Sequence, residues 1–425
     1  MLKTSPTKKL FKVRKSCRIC EYAKLVDFVD LGNTPLADLF VKDPKELEHK
    51  FPLRVKVCPK CFLVQLIDEV NSKLLFGNNY AFYTGGSPAS LSYFDNYANS
   101  IMKRFPKECN KYILEIASND GTLLKPFLKN GYKVLGVDPA KNVGEEANSN
   151  NIPTLVDFFN SKTALQISKE KGQTTIIIAN NVIAHVEDLF DFIKGVKILL
   201  DKNGVFIFEC QYFPYLLFNN QFDNIYHEHR SFFSLTPLMK LLKKFNLEAF
   251  DVEEHNTQGG SIRVFAAHKG KRKIEKRLTK ALSDENEIGI TNLDTYLGFQ
   301  ARIDYIKIKL NQMLAELKIS NKQIAGYGAS AKSNTLLNYC GIGVNYLDYI
   351  VDETPYKYGL YSPGLHIPVI SSKEEQKRFG KPDYYLLLVW NYADKIIAKE
   401  NDYIKNGGQF IIPIPTPHKL PSKDK

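Results

Sequence analysis

The segment KYILEIASNDGTLLKPFLKNGYKVLGVDPA, residues 111 to 140, leaves the chain little choice of fold. An apolar run ends in Glu115, a turn of small and polar residues passes through Gly121, a helix begins, and a second apolar run ends in Asp138. Parallel strands need a crossover between them, so the pattern is the first βαβ unit of a doubly wound sheet. Ligands of such sheets bind beyond the carboxyl ends of the strands, which puts Asp138 where ribose hydroxyls are met. The order strand, small-residue turn, helix returns in NKQIAGYGASAKSNTLLNYCGI, residues 321 to 342. YLDYIVDETPYKYG then supplies the next strand, with Asp352 at its end.

Two such modules, joined by a helical linker around residues 295 to 318, suit a chain of 425 residues, a length that exceeds what one core organises. Hydrophobic content of 44% and charged content of 24% are those of a folded globular protein and exclude disorder away from the ends. The longest apolar runs, DYYLLLVW and VFIFEC, fall far short of a bilayer span and read as buried strands. The basic start lacks the apolar centre of a secretory signal, so a cytoplasmic location without membrane contact is expected. A net charge of +12 attracts polyanions, but no arginine-rich tract with interleaved aromatics accompanies it. A lysine-coated surface is the simpler reading, and nucleic acid is not an expected partner.

Four of the seven cysteines form two CxxC pairs, Cys17 with Cys20 and Cys58 with Cys61. Each pair presents two thiolates to one ion, and two pairs complete the tetrahedral shell of a structural zinc. A closed four-thiolate shell leaves no position for substrate, so this zinc is expected to stabilise the fold. The competing reading, redox dithiols, lacks the thioredoxin-like context. Cys109, Cys210 and Cys340 stand alone and read as packing residues.

The turn after Glu115 is poor in glycine, which argues against a pyrophosphate fingerprint. EIASNDG and GVDP instead resemble motifs I and II of class I S-adenosylmethionine-dependent methyltransferases. Downstream, TTIIIANNVIAHVEDL runs from a buried strand into Asn180, Asn181 and His185, and GVFIFECQY is a strand ending near Glu209. Polar groups just past strand ends face the same crevice. In the C-terminal module the spacing of Gly326, Gly328 and Ala331 only loosely fits a dinucleotide fingerprint. Backbone N–H groups at its helix start, with Lys332 beside them, make an anion site suited to phosphate.

DNIYHEHR, residues 223 to 230, crowds Tyr226, His227, Glu228 and His229 together. Metal binding, acid/base chemistry and a solvated loop are the three readings. Adjacent residues seldom converge on one ion and zincin spacing is absent, whereas histidine titrates near neutral pH and suits a base.

CRIC and CPKC, EIASNDGTLL, NNVIAHVEDL, NIYHEH, GGSIRVF, GYGASAKSNTLLNYCGI, VDETPYKYG, PGLHIPVI, VWNYADKI and GGQFIIPIP occur in the order seen in the nucleotide-sugar C-methyltransferases of deoxysugar biosynthesis. The chain resembles that group, which includes the tylosin and kijanose pathway enzymes, over nearly its whole length. It departs at Ala117, where motif I expects glycine, at Ser333, and at Gln258, where some members carry histidine.

The resemblance implies an α/β protein: a zinc-binding domain over residues 10–78, a class I methyltransferase Rossmann-like domain over 79–290, and a C-terminal nucleotide-sugar-binding Rossmann-like domain over 291–420. It implies a monomer acting on a dTDP- or other NDP-linked 4-keto-6-deoxysugar, methylated at carbon 3 in preference to carbon 5. His229 matches the base of the family motif, Tyr226 and His185 are placed as donors to the enolate oxygen, and Glu228 as an orienting group. Tyr83 or Tyr80 matches a further active-site tyrosine. Glu115, Ala117, Asn119, Gly121, Asp138, Asn180 and Asn181 would hold S-adenosylmethionine. Ser261, Arg263, Ser330, Lys332, Asn334, Asp352 and Asn391 would meet the substrate with Tyr80. Rival readings are a zinc-containing RNA methyltransferase, a nicotinamide-dependent sugar-nucleotide oxidoreductase, and a non-catalytic nucleotide-sugar binder.

Overall fold

A computed structural model describes residues 10–76, 83–86 and 88–420. Near the N-terminus, β1 (Phe11–Val13) pairs antiparallel with β5 (Asp68–Val70), beside a meander of β2 (Val26–Thr34), β3 (Phe51–Val57) and β4 (Val64–Leu66). In β3 the residues of FPLRVKV alternate buried and half-buried, the period of a strand with one face on a core.

The central sheet holds β6 (Tyr112–Ile116), β7 (Lys133–Asp138), β8 (Thr154–Val156), β9 (Thr174–Asn180), β10 (Leu200–Gln211), β12 (Leu247–His255) and β13 (Ser261–His268). Their spatial order is β12-β13-β10-β9-β6-β7-β8. Strands β6 to β10 are parallel, and β13 runs antiparallel to both β10 and β12. All of YILEI in β6 is buried, as in a sheet covered on both faces. Strand order reverses between β6 and β9, so the crevice opens past Ile116 and Asn180.

One short strand of the central segment belongs elsewhere: β11 (Ser231–Phe232) pairs antiparallel with β4, giving the N-terminal sheet the order β11-β4-β3-β2. The histidine-bearing motif thus runs directly into the sheet of the cysteine-bearing segment.

A helix over Phe299–Ile319 buries Phe299, Ile303, Ile306, Leu310, Leu314 and Leu317, the helical spacing, in a core shared with Phe28 and Leu337. The last sheet follows: β14 (Ile324–Tyr327), β15 (Ile350–Val351), β16 (Val369–Ile370), β17 (Tyr384–Leu387), β18 (Gln409–Ile412) and β19 (His418–Leu420), in the order β16-β15-β14-β17-β18-β19. Its strands are parallel except β19, and its own reversal lies between β14 and β17. The N-terminal segment docks on it through a bridge between Val41 and Tyr361 and through Glu48 Oε1, 2.6 Å from His366 Nε2. Among the described residues no helix is long and apolar enough to cross a membrane.

Candidate active site

The turn after β6 is built from residues in the left-handed region: Ala117 at φ 56°, Asn119 at 51° and Gly121 at 75°. Only Gly121 is also sterically forced to be glycine, because a Cβ there would lie 2.7 Å from Ile152 Cδ1. Gly136 in β7 answers to the same turn, since its Cβ would lie 2.3 Å from Ser118 Oγ. Asn119 Oδ1 accepts from Thr84 N at 3.0 Å and Asp120 Oδ2 from Gly85 N at 2.8 Å, so residues 83–86 lie on the turn. Tyr83, half-buried, accepts from Asn142 Nδ2 at 3.0 Å, while Tyr80 lies outside the described residues.

Asp138 accepts from Asn119 N and Ala140 N, each at 2.8 Å, bracing the turn while keeping lone pairs for a further donor. Asp352 repeats the arrangement in the C-terminal module, accepting from Ala329 N at 2.6 Å and Thr354 N at 2.8 Å. Glu115 is buried, and its Oε2 meets no partner among the described residues. Burial and the charges of Asp120 and Asp138 push its carboxyl well above the usual carboxylate range. Asn180 Oδ1 is buried with no partner among the described residues, and Asn181 holds φ 52° with its N–H on the Glu209 carbonyl at 2.8 Å. Orphaned acceptors around a braced turn suit a cationic, nucleoside-bearing cofactor.

In the histidine motif, His229 Nδ1 lies 2.7 Å from the Asn224 carbonyl, which can only accept. Nδ1 therefore carries the proton, and Nε2 is left as the basic nitrogen, 2.9 Å from Tyr226 Oη. The His185 ring packs edge-on to His229 with centroids 4.9 Å apart. Burial, then the neighbouring His185 and the Lys332 charge, hold His229 well below the usual histidine value. His185 is held at about 4, chiefly by burial, and its Nδ1 has no partner among the described residues. Glu228, buried, is pushed well above the usual range by burial and by Asp38. His227 points away: its Nε2 meets the Pro52 carbonyl at 3.1 Å, and burial holds it at about 4.

The residues expected to meet substrate divide into two groups. Lys332 is buried, its charge felt at His229, and donates to the Gln258 carbonyl at 2.9 Å; burial lowers it to about 8 against the pull of Asp223. Asn391 lies half-buried beside Trp390, whose indole donates to Asp223 Oδ2 at 2.6 Å. These sit around the histidine motif. Ser330 instead caps the helix Ala331–Cys340 with Ser333, and Asn334 Nδ2 donates to the Ala37 carbonyl at 2.6 Å. Ser261 Oγ donates to Thr257 O at 3.0 Å. Arg263 donates to Glu209 Oε2 through Nε at 3.0 Å and Nη2 at 2.8 Å, to Tyr93 Oη at 3.0 Å, and lies 3.3 Å from the Tyr97 ring centre. Both partners are buried, so this pair is committed to the interior. Reading the sequence did not single out Asp223, Asn224, Asp38 or Trp390; the first two stand at the start of DNIYHEHR itself.

The four cysteine sulfurs all lie within 4.8 Å of one another, close to the spacing of about 3.8 Å that a tetrahedral zinc with sulfur at 2.3 Å imposes. The two knuckles repeat one set of bonds: Cys17 N to Tyr22 O and Glu21 N to Cys17 O, then Cys58 N to Leu63 O and Phe62 N to Cys58 O. Glu21 and Phe62 close them at φ 61° and 64°. The donor set fits zinc. Cys109, Cys210 and Cys340 are buried in the apolar core.

The strand order of the central sheet, its single antiparallel strand β13 and the braced turn after β6 define a class I S-adenosylmethionine-dependent methyltransferase. A zinc binding domain model matches residues 17–76, a methyltransferase domain model 92–252, and a C-methyltransferase C-terminal domain model 256–415. NovU, a C-methyltransferase of Streptomyces niveus, is 34% identical over 407 residues, 95% of this chain and 96% of its own. A ubiquinone biosynthesis O-methyltransferase of Pelagibacter ubique is 28% identical over 96 residues, 23% of this chain and 40% of its own. Among solved structures, a methyltransferase of Anabaena variabilis covers 45% of this chain and 100% of its own at 18% identity, with a TM-score of 0.33. The chain belongs to the C-methyltransferase family, as an S-adenosylmethionine-dependent enzyme with an N-terminal zinc-binding domain.

Proposed function

We propose that the methyl acceptor is the carbon beside the ketone of a nucleotide-linked 4-keto-6-deoxysugar, carbon 3 in preference to carbon 5, and that His229 removes its proton. The observation that carries this reading is the His229 ring, with Nδ1 pinned on a carbonyl and a basic Nε2 turned to Tyr226. A carbon of that kind is acidic because its electron pair spreads onto the carbonyl oxygen. The proton goes to Nε2, and the Tyr226 hydroxyl exchanges its acceptor from Nε2 to the ketone oxygen, where it stabilises the enolate. His185, neutral and against the same ring, is the second donor, and Glu228, whose burial disfavours its charged form, orients the motif. Tyr83, resting on the cofactor turn, faces the acceptor.

Bound S-adenosylmethionine supplies an electrophilic methyl on sulfonium. Glu115, Asn119, Asp138 and Asn180 would hold it, with Ala117, Gly121 and Asn181 shaping the backbone. The crevice beyond β14 takes the diphosphate and base of the nucleotide, near Asp352, Asn391 and the helix start at Ser330. Cytoplasmic location, a monomeric state and domain limits at residues 78 and 290 are part of the same proposal.

The test is mass spectrometry of purified protein with S-adenosylmethionine and a thymidine-diphosphate-linked 4-keto-6-deoxyhexose. A product heavier by one methyl group, placed by fragmentation beside the ketone, supports the reading. Methylation of RNA in place of the sugar nucleotide would overturn it.

A further inference from the structure

Arg230 directly follows the histidine motif, and it is among the largest fully buried side chains of the protein. Its Nη2 donates to the Val70 carbonyl at 2.8 Å and to Ser72 Oγ at 2.9 Å, both in the N-terminal segment. Nε and Nη1 meet no acceptor among the described residues. Enclosing a guanidinium with unmatched donors costs stability, so its retention calls for a function. Glu187 Oε2, at 3.9 Å, is its nearest carboxylate and is held in turn by Ser72 and Lys12.

The backbone of Arg230 works the same seam. Its carbonyl accepts from Leu66 N at 3.0 Å, and its N–H donates to the Ala184 carbonyl at 2.8 Å. Ala184 precedes His185, whose ring packs on His229. On the other flank, His227 is tied to Pro52 in β3, and β11 extends the sheet that carries the second cysteine knuckle. Arg18, between the first two cysteines, spans the same gap by donating to the Glu187 carbonyl at 3.0 Å. His229 therefore hangs between anchors at 227 and 230 that lie in the zinc-binding module, while its own ring turns to Asn224.

We propose that Arg230 is the positioning residue through which the zinc-binding module sets the orientation of His229. The zinc domain is then part of the catalytic frame, although its metal touches no substrate. The inference rests on His229 acting in the reaction, and His229→Ala, measured in parallel, separates failure of that reading from failure of this one.

Arg230→Met, Arg230→Lys and Ser72→Ala are compared with wild type in the full chain, with zinc content, S-adenosylmethionine affinity by calorimetry, and kcat and KM on dTDP-4-keto-6-deoxyglucose. The expected result for Arg230→Met is full zinc, unchanged cofactor affinity, KM within about twofold and kcat lower by about tenfold or more, as misplacing a catalytic group does. Arg230→Lys, whose ammonium reaches the same two acceptors, recovers part of the loss. Ser72→Ala shows a smaller fall in kcat and decides the matter if Arg230→Met does not fold. Amide hydrogen exchange of a peptide over residues 224–234 rises in both, with residues 111–140 unchanged, whether or not the probe turns over. Wild-type kcat and wild-type exchange in a folded Arg230→Met, or failing that in Ser72→Ala, would overturn the proposal. So would a parallel loss of cofactor affinity. Loss of turnover in His229→Ala with none in Arg230→Met would leave the base standing and remove Arg230 from its support.

Discussion

Tyr226 Oη lies 2.9 Å from Nε2 of His229, on the one nitrogen of that ring that the Asn224 carbonyl leaves unprotonated. In the proposed reaction this pair is the base and its donor, already in contact before substrate arrives. Tyr226→Phe is expected to lower kcat by about tenfold to a hundredfold through loss of the enolate donor, and to slow solvent exchange of the substrate proton with it, because both pass through the enolate. Deuterium incorporation beside the ketone, measured by mass spectrometry, checks this; exchange at the wild-type rate would remove Tyr226 from the enolate.

The pH profile follows from the surroundings of His229. Burial, His185 and Lys332 disfavour the imidazolium, so the folded value lies below the usual one and the ring stays basic as pH falls through about 6.5. kcat/KM is expected to hold level from about pH 8 to about pH 6 and to fall only below that. Lys332→Met removes a positive neighbour and should move the acid limb upward. A limb that stays in place in that variant would separate Lys332 from the base.

His227 gives a stability prediction of known sign. It is 1% exposed and held at about 4 against 6.5 for the free side chain, so the unfolded chain binds its proton first on acidification. The stability this histidine contributes is complete above pH 6.5 and is lost as pH falls toward 4. His227→Gln keeps a donor toward Pro52 and should flatten the slope of unfolding free energy by up to about 1.4 kcal/mol per pH unit within that window. Urea unfolding at several pH values checks it.

Gly136→Ala is expected to weaken cofactor binding well beyond the cost of a methyl group, because the new Cβ would lie 2.3 Å from Ser118 Oγ and 2.8 Å from Thr154 Oγ1. Ala117→Gly, at φ 56°, should relieve left-handed strain of about 1 kcal/mol and leave affinity intact. Calorimetric titration of S-adenosylmethionine measures both.

Arg263→Leu should cost about 3–5 kcal/mol, since it strands the buried Glu209 carboxylate. Adding Glu209→Leu should return much of that loss. A single variant of normal stability with a raised KM would instead make Arg263 a substrate ligand.

How far the sequence could be read depended on range. Apolar runs such as TTIIIAN and YILEI announce buried parallel strands by themselves, and the CxxC pairs carry their geometry within four residues each. The pairing of β11 with β4 joins residues 231–232 to 64–65, and no local pattern signals it. For the same reason Arg263 reads as a free cation until β10 and β13 bring Glu209 beside it. Asn224 acts through its backbone carbonyl, a role that side-chain chemistry does not announce.

The most direct test is proton exchange by His229→Ala, incubated in deuterated water with a thymidine-diphosphate-linked 4-keto-6-deoxyhexose beside wild type. Deuterium next to the ketone is expected with wild-type protein and its loss, together with methylation, in the variant. Exchange retained at the wild-type rate in a folded, zinc-loaded His229→Ala would contradict the assignment of His229 as the base.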